Sequence, residues 1–225
     1  MVSEMDRAAE AAIRAVILHR RPDDAILGEE GGASAGATGV RWIVDPLDGT
    51  TNFLYGFPAW AVSVAVEVDS TVVAGAVFDP THGEMWTATK GGGAFCNDEA
   101  LLPRTDEVDL ATALVATGFS YASATRAEQG AVVASLLPQV RDIRRAGSAA
   151  LDLCWVAAGR VDAYFESGTH VWDWAAGALV ATEVGVEVSR LTGGAPSPEE
   201  DAGILAAPPR LGQALRTVFE RARRA

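Results

Sequence analysis

The chain changes its periodicity partway along, and that switch limits its fold more than any other feature. From Trp60 to Trp86 apolar and polar residues alternate in strand-length runs, and Gly91-Gly92-Gly93 marks a hairpin bend. Beyond it, strands and helices take turns: a strand at Leu114 to Thr117, a helix from about Thr125 to Leu137, a helix opened by Ser148, a strand from Val161, a helix at Trp172, strands at Val186 and Ile204, and a last helix from Arg210. A helix over Glu4 to His19 and a short strand reaching Glu29 come first. An antiparallel half (residues 1–105) joined to an alternating half (106–225) predicts one layered α/β domain.

Composition fits that reading. The 225 residues are 49% hydrophobic, enough for one sizeable core or two tightly packed halves. The longest apolar runs, Val62 to Val68 and Val72 to Phe78, are strand length, so no membrane span is expected. No secretory signal precedes the first helix, and Cys96 and Cys154 give no disulfide framework, so the expected location is the cytoplasm. A net charge of −12 argues against a nucleic-acid partner and suits attraction of divalent cations. Lys90 is the only lysine, and Arg216, Arg221, Arg223 and Arg224 sit on a predicted helix end, where they complement the dipole.

The chemistry is concentrated in Trp42-Ile43-Val44-Asp45-Pro46-Leu47-Asp48-Gly49-Thr50-Thr51-Asn52-Phe53, where an apolar strand runs into two carboxylates, a glycine and two hydroxyls. Pro46 fixes its own φ and pushes Asp45 toward an extended conformation, so a rigid turn can aim Asp45 and Asp48 at one cation. Gly49 allows close backbone approach, and the Thr-Thr-Asn run resembles a helix N-terminus, whose free N–H groups favour phosphate. Two further segments bring acids into apolar company: Ile26-Leu27-Gly28-Glu29-Glu30-Gly31-Gly32, and His170-Val171-Trp172-Asp173-Trp174-Ala175-Ala176-Gly177, which opens a helix. An aspartate between two tryptophans is exposed, protonated, capping a helix or bound to metal. Oxygen donors without a His or Cys cluster point to magnesium or manganese rather than zinc.

With GEE, DPxDGT followed by TNF, and WDxAAG in this order, the sequence resembles the inositol monophosphatase family of magnesium-dependent, lithium-sensitive phosphatases. Ala76 to Pro80, Gly83 to Ala88 and Gly91 to Phe95 also look like that family's central strands and hairpin, so the resemblance covers nearly the whole chain. It implies an αβαβα sandwich, a homodimer and hydrolysis of small polyol phosphates such as myo-inositol monophosphate. Histidinol phosphate or fructose 1,6-bisphosphate are the alternative substrates. A metal-binding regulatory protein without turnover is the alternative outside enzymes.

By the same resemblance Glu29 binds the first metal and orients the attacking water, Asp45 bridges the metals, and the Leu47 carbonyl completes the first site. Asp48 and Asp173 hold the second metal. Gly49 and Thr50 contact the phosphate, with the Thr50 hydroxyl also placing the water, while Glu30 is a supporting or exposed acid. Two magnesium ions, with a third and weaker one on Glu29, activate the water and neutralise the departing alkoxide; manganese is a substitute. The segment Arg144 to Leu153 reads as a strand end turning into a helix capped by Ser148. By resemblance Gly147, Ser148 and Ala149 wall the pocket for the alcohol portion, and Glu166, ending the alternating strand from Val161, accepts hydrogen bonds from polyol hydroxyls. Family members usually carry a further helix before the segment that Val2-Ser3-Glu4-Met5-Asp6 resembles, so that helix is expected to be missing.

Overall fold

The computed structural model describes residues 4–104, 107–196 and 203–224, apart from the side chains of Arg223 and Arg224. The expectations for Val2, Ser3 and those two arginine side chains therefore lie outside the described residues.

Helix α1 (Glu4–Arg20) leads into β1 (Ala25–Gly28), β2 (Gly32–Ser34) and β3 (Val40–Asp48), then the short helix α2 (Thr50–Tyr55). Strands β4 (Ala61–Val68), β5 (Thr71–Asp79), β6 (Glu84–Thr89), β7 (Gly93–Cys96) and β8 (Glu99–Ala100) follow. The second half holds β9 (Leu114–Thr117), α3 (Ser123–Leu136), β10 (Asp142–Arg144), α4 (Ala149–Ala157), β11 (Ala163–Glu166), α5 (Val171–Glu183), β12 (Glu187–Arg190), β13 (Ile204–Ala207) and α6 (Pro209–Arg224). One sheet has the order β2-β1-β3-β4-β5-β6-β7-β8 and the other β10-β9-β11-β13-β12.

The first sheet is antiparallel from β3 to β8, as the alternation predicts, but β1 and β3 pair in parallel. The antiparallel first half is corrected at that point. β2 folds back against β1, so the chain comes round again in the direction of β1 when it reaches β1's other side as β3.

Alternation along each strand sorts residues between layers. On β3, Ile43 joins the central core while Trp42 and Val44 pack on the opposite face with Ile13, Ile17 and Ile26, which covers that face with α1. Helices α4 and α5 fill the space between the sheets. α5 is buried continuously from Trp174 to Ala181, so it is apolar on every side. Its small residues permit close packing: a Cβ on Gly75 of β5 would stand 3.0 Å from Ala176 Cα, and one on Gly177 would stand 2.8 Å from Leu153 Cβ. On the far side of the second sheet, Val115, Phe165 and Leu205 pack with Leu136 of α3 and with Leu211, Leu215 and Phe219 of α6. The layers therefore run α1, sheet, α4 with α5, sheet, α3 with α6, which is the αβαβα sandwich. Among the described residues no helix is long and apolar enough to cross a membrane.

Candidate active site

The two aspartates of the central motif stand three apart, and on a regular strand that spacing would place them on opposite faces. A bulge brings them together. Asp45 pairs with Ser63 and Asp48 with Ala61, so β3 has one more residue than β4 across this interval. Pro46, which has no N–H to donate to a ladder, sits in the irregular stretch where that loss is tolerated. Asp45, Leu47 and Asp48 consequently line one cleft, of about 580 Å³, with Glu29, Gly49, Thr50, Gly147, Ala149, Glu166 and Asp173.

Three elements deliver the four acids. Glu29 follows β1, and its N–H donates to the Val44 carbonyl at 3.2 Å, extending the parallel pairing into the turn. Asp45 is fully buried and accepts from the Leu47 N–H at 2.9 Å. Asp48 accepts from the Ser148 hydroxyl and the Ala150 N–H, both at 2.7 Å, at the head of α4. Asp173, at the third position of α5, accepts from the His170 N–H at 2.7 Å, so it caps its helix as well as facing the cleft.

Burial is the main cause that raises the carboxyl pKa of each of these four acids. Neighbouring acids add to it: Asp48, Glu29 and Asp173 around Asp45, and Asp48 around Asp173. A hydrogen bond shared with Asp45 partly offsets the shift of Glu29. The Asp48 carboxyl rises to about 7 despite the opposing bonds from Ser148 and Ala150. None of the four forms an ion pair with a described residue. Mutually repelling carboxylates gathered in one cleft, with Asp45 fully buried among them, call for a cation, and an all-oxygen donor set suits a hard divalent ion. The four therefore fit magnesium or manganese. Among the described residues no three of them are gathered into a closed metal cage; Asp45, Asp48 and Asp173 each have an oxygen turned to a backbone N–H instead.

The anion side of the cleft is built on α2. Gly49 has φ +94°, and a Cβ there would stand 3.0 Å from the Ala59 carbonyl and 3.2 Å from the Gly147 carbonyl. Glycine is required on both counts. No side chain caps α2 at Gly49, so its first N–H groups are left for another acceptor. Asn52 locks the helix in place by donating to the Ala59 carbonyl at 2.6 Å and the Ala146 carbonyl at 2.8 Å.

Glu166 lies at the end of β11, where burial raises its pKa, and it accepts from the Tyr164 hydroxyl at 2.8 Å. Ser148 is placed differently from the expected pocket wall. It is buried behind the cleft, where its hydroxyl donates to Asp48 while accepting from the Leu151 N–H at 3.3 Å. It caps α4 and orients an acid, so Gly147 and Ala149 alone of that trio line the cleft.

Two acids were not anticipated. Asp6 is buried and accepts from the Thr50 hydroxyl at 3.0 Å, an interaction that competes with the Leu47 carbonyl at 3.1 Å for the same proton. Glu10, also buried, accepts from the N–H groups of Glu30 at 2.8 Å and Gly31 at 3.0 Å, and thereby holds the turn that carries Glu29. Glu30 contributes its backbone to this support. The signal was available: positions 6, 10, 13 and 17 lie on one stripe of α1, and Ile13 and Ile17 show that this stripe faces inward.

The sequence profile described as the inositol monophosphatase family matches residues 1–224. An inositol-1-monophosphatase of Mycobacterium leprae is 46% identical, covering 98% of this chain and 78% of its own length. A protein of Pasteurella multocida named Nus factor SuhB is 45% identical over 86% of this chain and 73% of its own. Among solved structures, an extragenic suppressor protein suhB from Bartonella henselae superposes with a TM-score of 0.91 at 37% identity, covering 98% of this chain and 84% of that one.

Proposed function

The chain belongs to the inositol monophosphatase family, and on that premise we propose that it is a magnesium-dependent hydrolase of phosphate monoesters, releasing phosphate from myo-inositol monophosphate or a similar small polyol phosphate. The observation that carries this reading is the cluster of Glu29, Asp45, Asp48 and Asp173 in one cleft, without an ion-pair partner among the described residues, beside an uncapped helix start and a hydroxyl already bonded to an acid.

Bound divalent cations supply neutralisation of the phosphate charge and a more acidic water, with Glu29, Asp45, the Leu47 carbonyl, Asp48 and Asp173 as the holding groups. The rest is done by side chains and backbone. The Thr50 hydroxyl donates its hydrogen bond to Asp6 or to the Leu47 carbonyl, and either way its oxygen lone pairs stay free to accept from a water next to Glu29. Glu29, facing the same cleft, would accept that water's proton. Gly49 and the first N–H groups of α2 hold the phosphate oxygens, while Gly147 and Ala149 wall the alcohol portion and Glu166 accepts from its hydroxyls. Water adds to phosphorus as the ester oxygen departs. A homodimer in the cytoplasm is part of the same reading, as is lithium sensitivity.

The test is phosphate release from inositol 1-phosphate, histidinol phosphate and fructose 1,6-bisphosphate with magnesium, with and without lithium, using Glu29→Gln as control. Turnover that requires magnesium and Glu29, and is greatest on inositol 1-phosphate, is the expected result. A folded protein that releases no phosphate from any of the three would favour the regulatory alternative. Asp45→Asn then discriminates, since a scaffold keeps its biological effect through that change.

A further inference from the structure

Strands β10, β9 and β11 lie side by side and parallel, so their C-terminal ends open together on the cleft. β9 is the middle one, and the loop that leaves it toward α3 therefore stands between Gly147, which follows β10, and Glu166, which ends β11. Phe119, Ser120, Tyr121 and Ala122 of that loop line the cleft. Its backbone is fastened from α3: Gln129 accepts from the Ser120 N–H at 3.0 Å and donates to the Ser167 hydroxyl at 2.9 Å, while Arg126 donates to the Tyr121 carbonyl at 2.7 Å. The Tyr121 side chain reaches away from this anchorage. It is 69% exposed, and its hydroxyl lies 3.3 Å from that of Thr51 at the start of α2.

The two ends of that side chain fix where its ring lies. The backbone end stands between the residues that flank the alcohol portion of the substrate, and the hydroxyl stands at the helix whose first N–H groups face the phosphate, so the ring spans the cleft mouth from one to the other. A contact of 3.3 Å between two hydroxyls that water also reaches is longer than usual and contributes little, so it does not account for an aromatic residue there. Other large apolar or aromatic side chains of the cleft are committed elsewhere: Leu47 is buried, His170 stacks on Trp172 with ring centroids 4.8 Å apart, and Phe119 also walls a second cavity, of about 420 Å³, between α3 and α6. A cyclic polyol carries hydroxyls around its rim and C–H groups on its faces, and Glu166 serves only the rim. A rigid aromatic surface is the complement that the C–H face lacks. We propose that Tyr121 is a specificity-determining residue that lays its ring on the alcohol portion of the substrate and favours a cyclic polyol over an acyclic one. This rests on the phosphatase reading above.

A cyclic and an acyclic probe isolate the ring contact: inositol 1-phosphate and glycerol 1-phosphate, each a polyol with one phosphate. Turnover of both with magnesium is compared in the wild type, Tyr121→Ala, Tyr121→Phe and Tyr55→Ala, the last removing an exposed tyrosine of α2 that does not line the cleft. Tyr121→Ala is expected to raise KM for inositol 1-phosphate roughly fivefold, as loss of apolar cover on one ring face implies, while KM for glycerol 1-phosphate and both kcat values move less than about twofold. Tyr121→Phe keeps the ring and should match the wild type on both probes, and Tyr55→Ala should move neither. Equal losses on the two probes would assign Tyr121 to the phosphate or to folding and overturn the proposal. So would a loss in Tyr121→Phe as large as in Tyr121→Ala, which would put the effect on the hydroxyl, or no loss in either. If the wild type hydrolyses neither compound, the phosphatase reading has failed for these substrates, and titration calorimetry of inositol 1-phosphate in magnesium decides instead. Weaker binding in Tyr121→Ala but not in Tyr121→Phe supports the assignment; unchanged binding, or none in the wild type, overturns it.

Discussion

Glu10→Ala should separate the support of the Glu29 turn from its chemistry. The Glu10 carboxylate is 3% exposed and accepts three hydrogen bonds, from the Glu30 N–H, the Gly31 N–H and Arg14 Nε. Truncation leaves two backbone donors without a partner at about 1–3 kcal/mol each, and Gly31 is exposed, so water offsets part of its loss. The Arg14 pair contributes about 0.3–0.5 kcal/mol as an i,i+4 contact. Alanine and glutamate differ little in helix propensity, so α1 itself is not weakened. The expected destabilisation is about 2–4 kcal/mol, read by urea unfolding followed through tryptophan fluorescence. Because the loosened turn carries Glu29, the magnesium concentration for half-maximal phosphate release should rise more than kcat falls. Glu10→Gln keeps an acceptor oxygen and should fall between the two proteins. A loss below about 1 kcal/mol with unchanged magnesium dependence would refute the reasoning, by showing that the turn holds its shape without the carboxylate.

Two further predictions concern the cleft. A Cβ at Gly118 would stand 1.8 Å from Glu166 Oε2, so Gly118→Ala must displace that carboxylate; KM for a polyol phosphate should rise roughly tenfold, and a wild-type KM would show that Glu166 does not touch substrate. Without metal, burial pushes the Asp48 carboxyl up to about 7, well above the usual carboxylate range. A folded-state pKa raised in this way gives stability that is fully present below the unfolded pKa and lost as pH rises through the folded one. The metal-free melting temperature should therefore fall between about pH 4 and pH 7, and magnesium should restore most at the alkaline end; a metal-free curve that rises over that interval would contradict the burial argument.

The elements were legible because their periods are clean. The alternation from Trp60 to Trp86, the strand at Leu114 to Thr117 and the Ser148 cap all reappear in the structure. The cleft acids could be read for a different reason, since an Asp or Glu embedded in apolar sequence conflicts with its surroundings unless something compensates it. Asp6 and Glu10 show a weaker conflict, visible only in their helical stripe with Ile13 and Ile17. They sit in an ordinary charged helix and become buried only when α1 lands on the first sheet, so their role depends on packing across distant segments. The parallel β1–β3 pair was hidden likewise, because β2 is three residues long and exposed and lacks any alternating signal. Ser148 was legible as a cap, but its bond to Asp48 spans 100 residues, which local pattern cannot supply.

The extra residue in β3 sets sheet regularity against activity. Were the same three-residue spacing laid into an unbroken ladder to β4, Asp48 would turn to the face opposite Asp45. The most regular form of this sheet is thus one that cannot assemble the cleft. A search through variants for tighter strand pairing at this position would move away from the functional sequence, and homologues that keep the three-residue spacing but pair without the irregularity would be expected to keep the sandwich as a scaffold while giving up the paired aspartates.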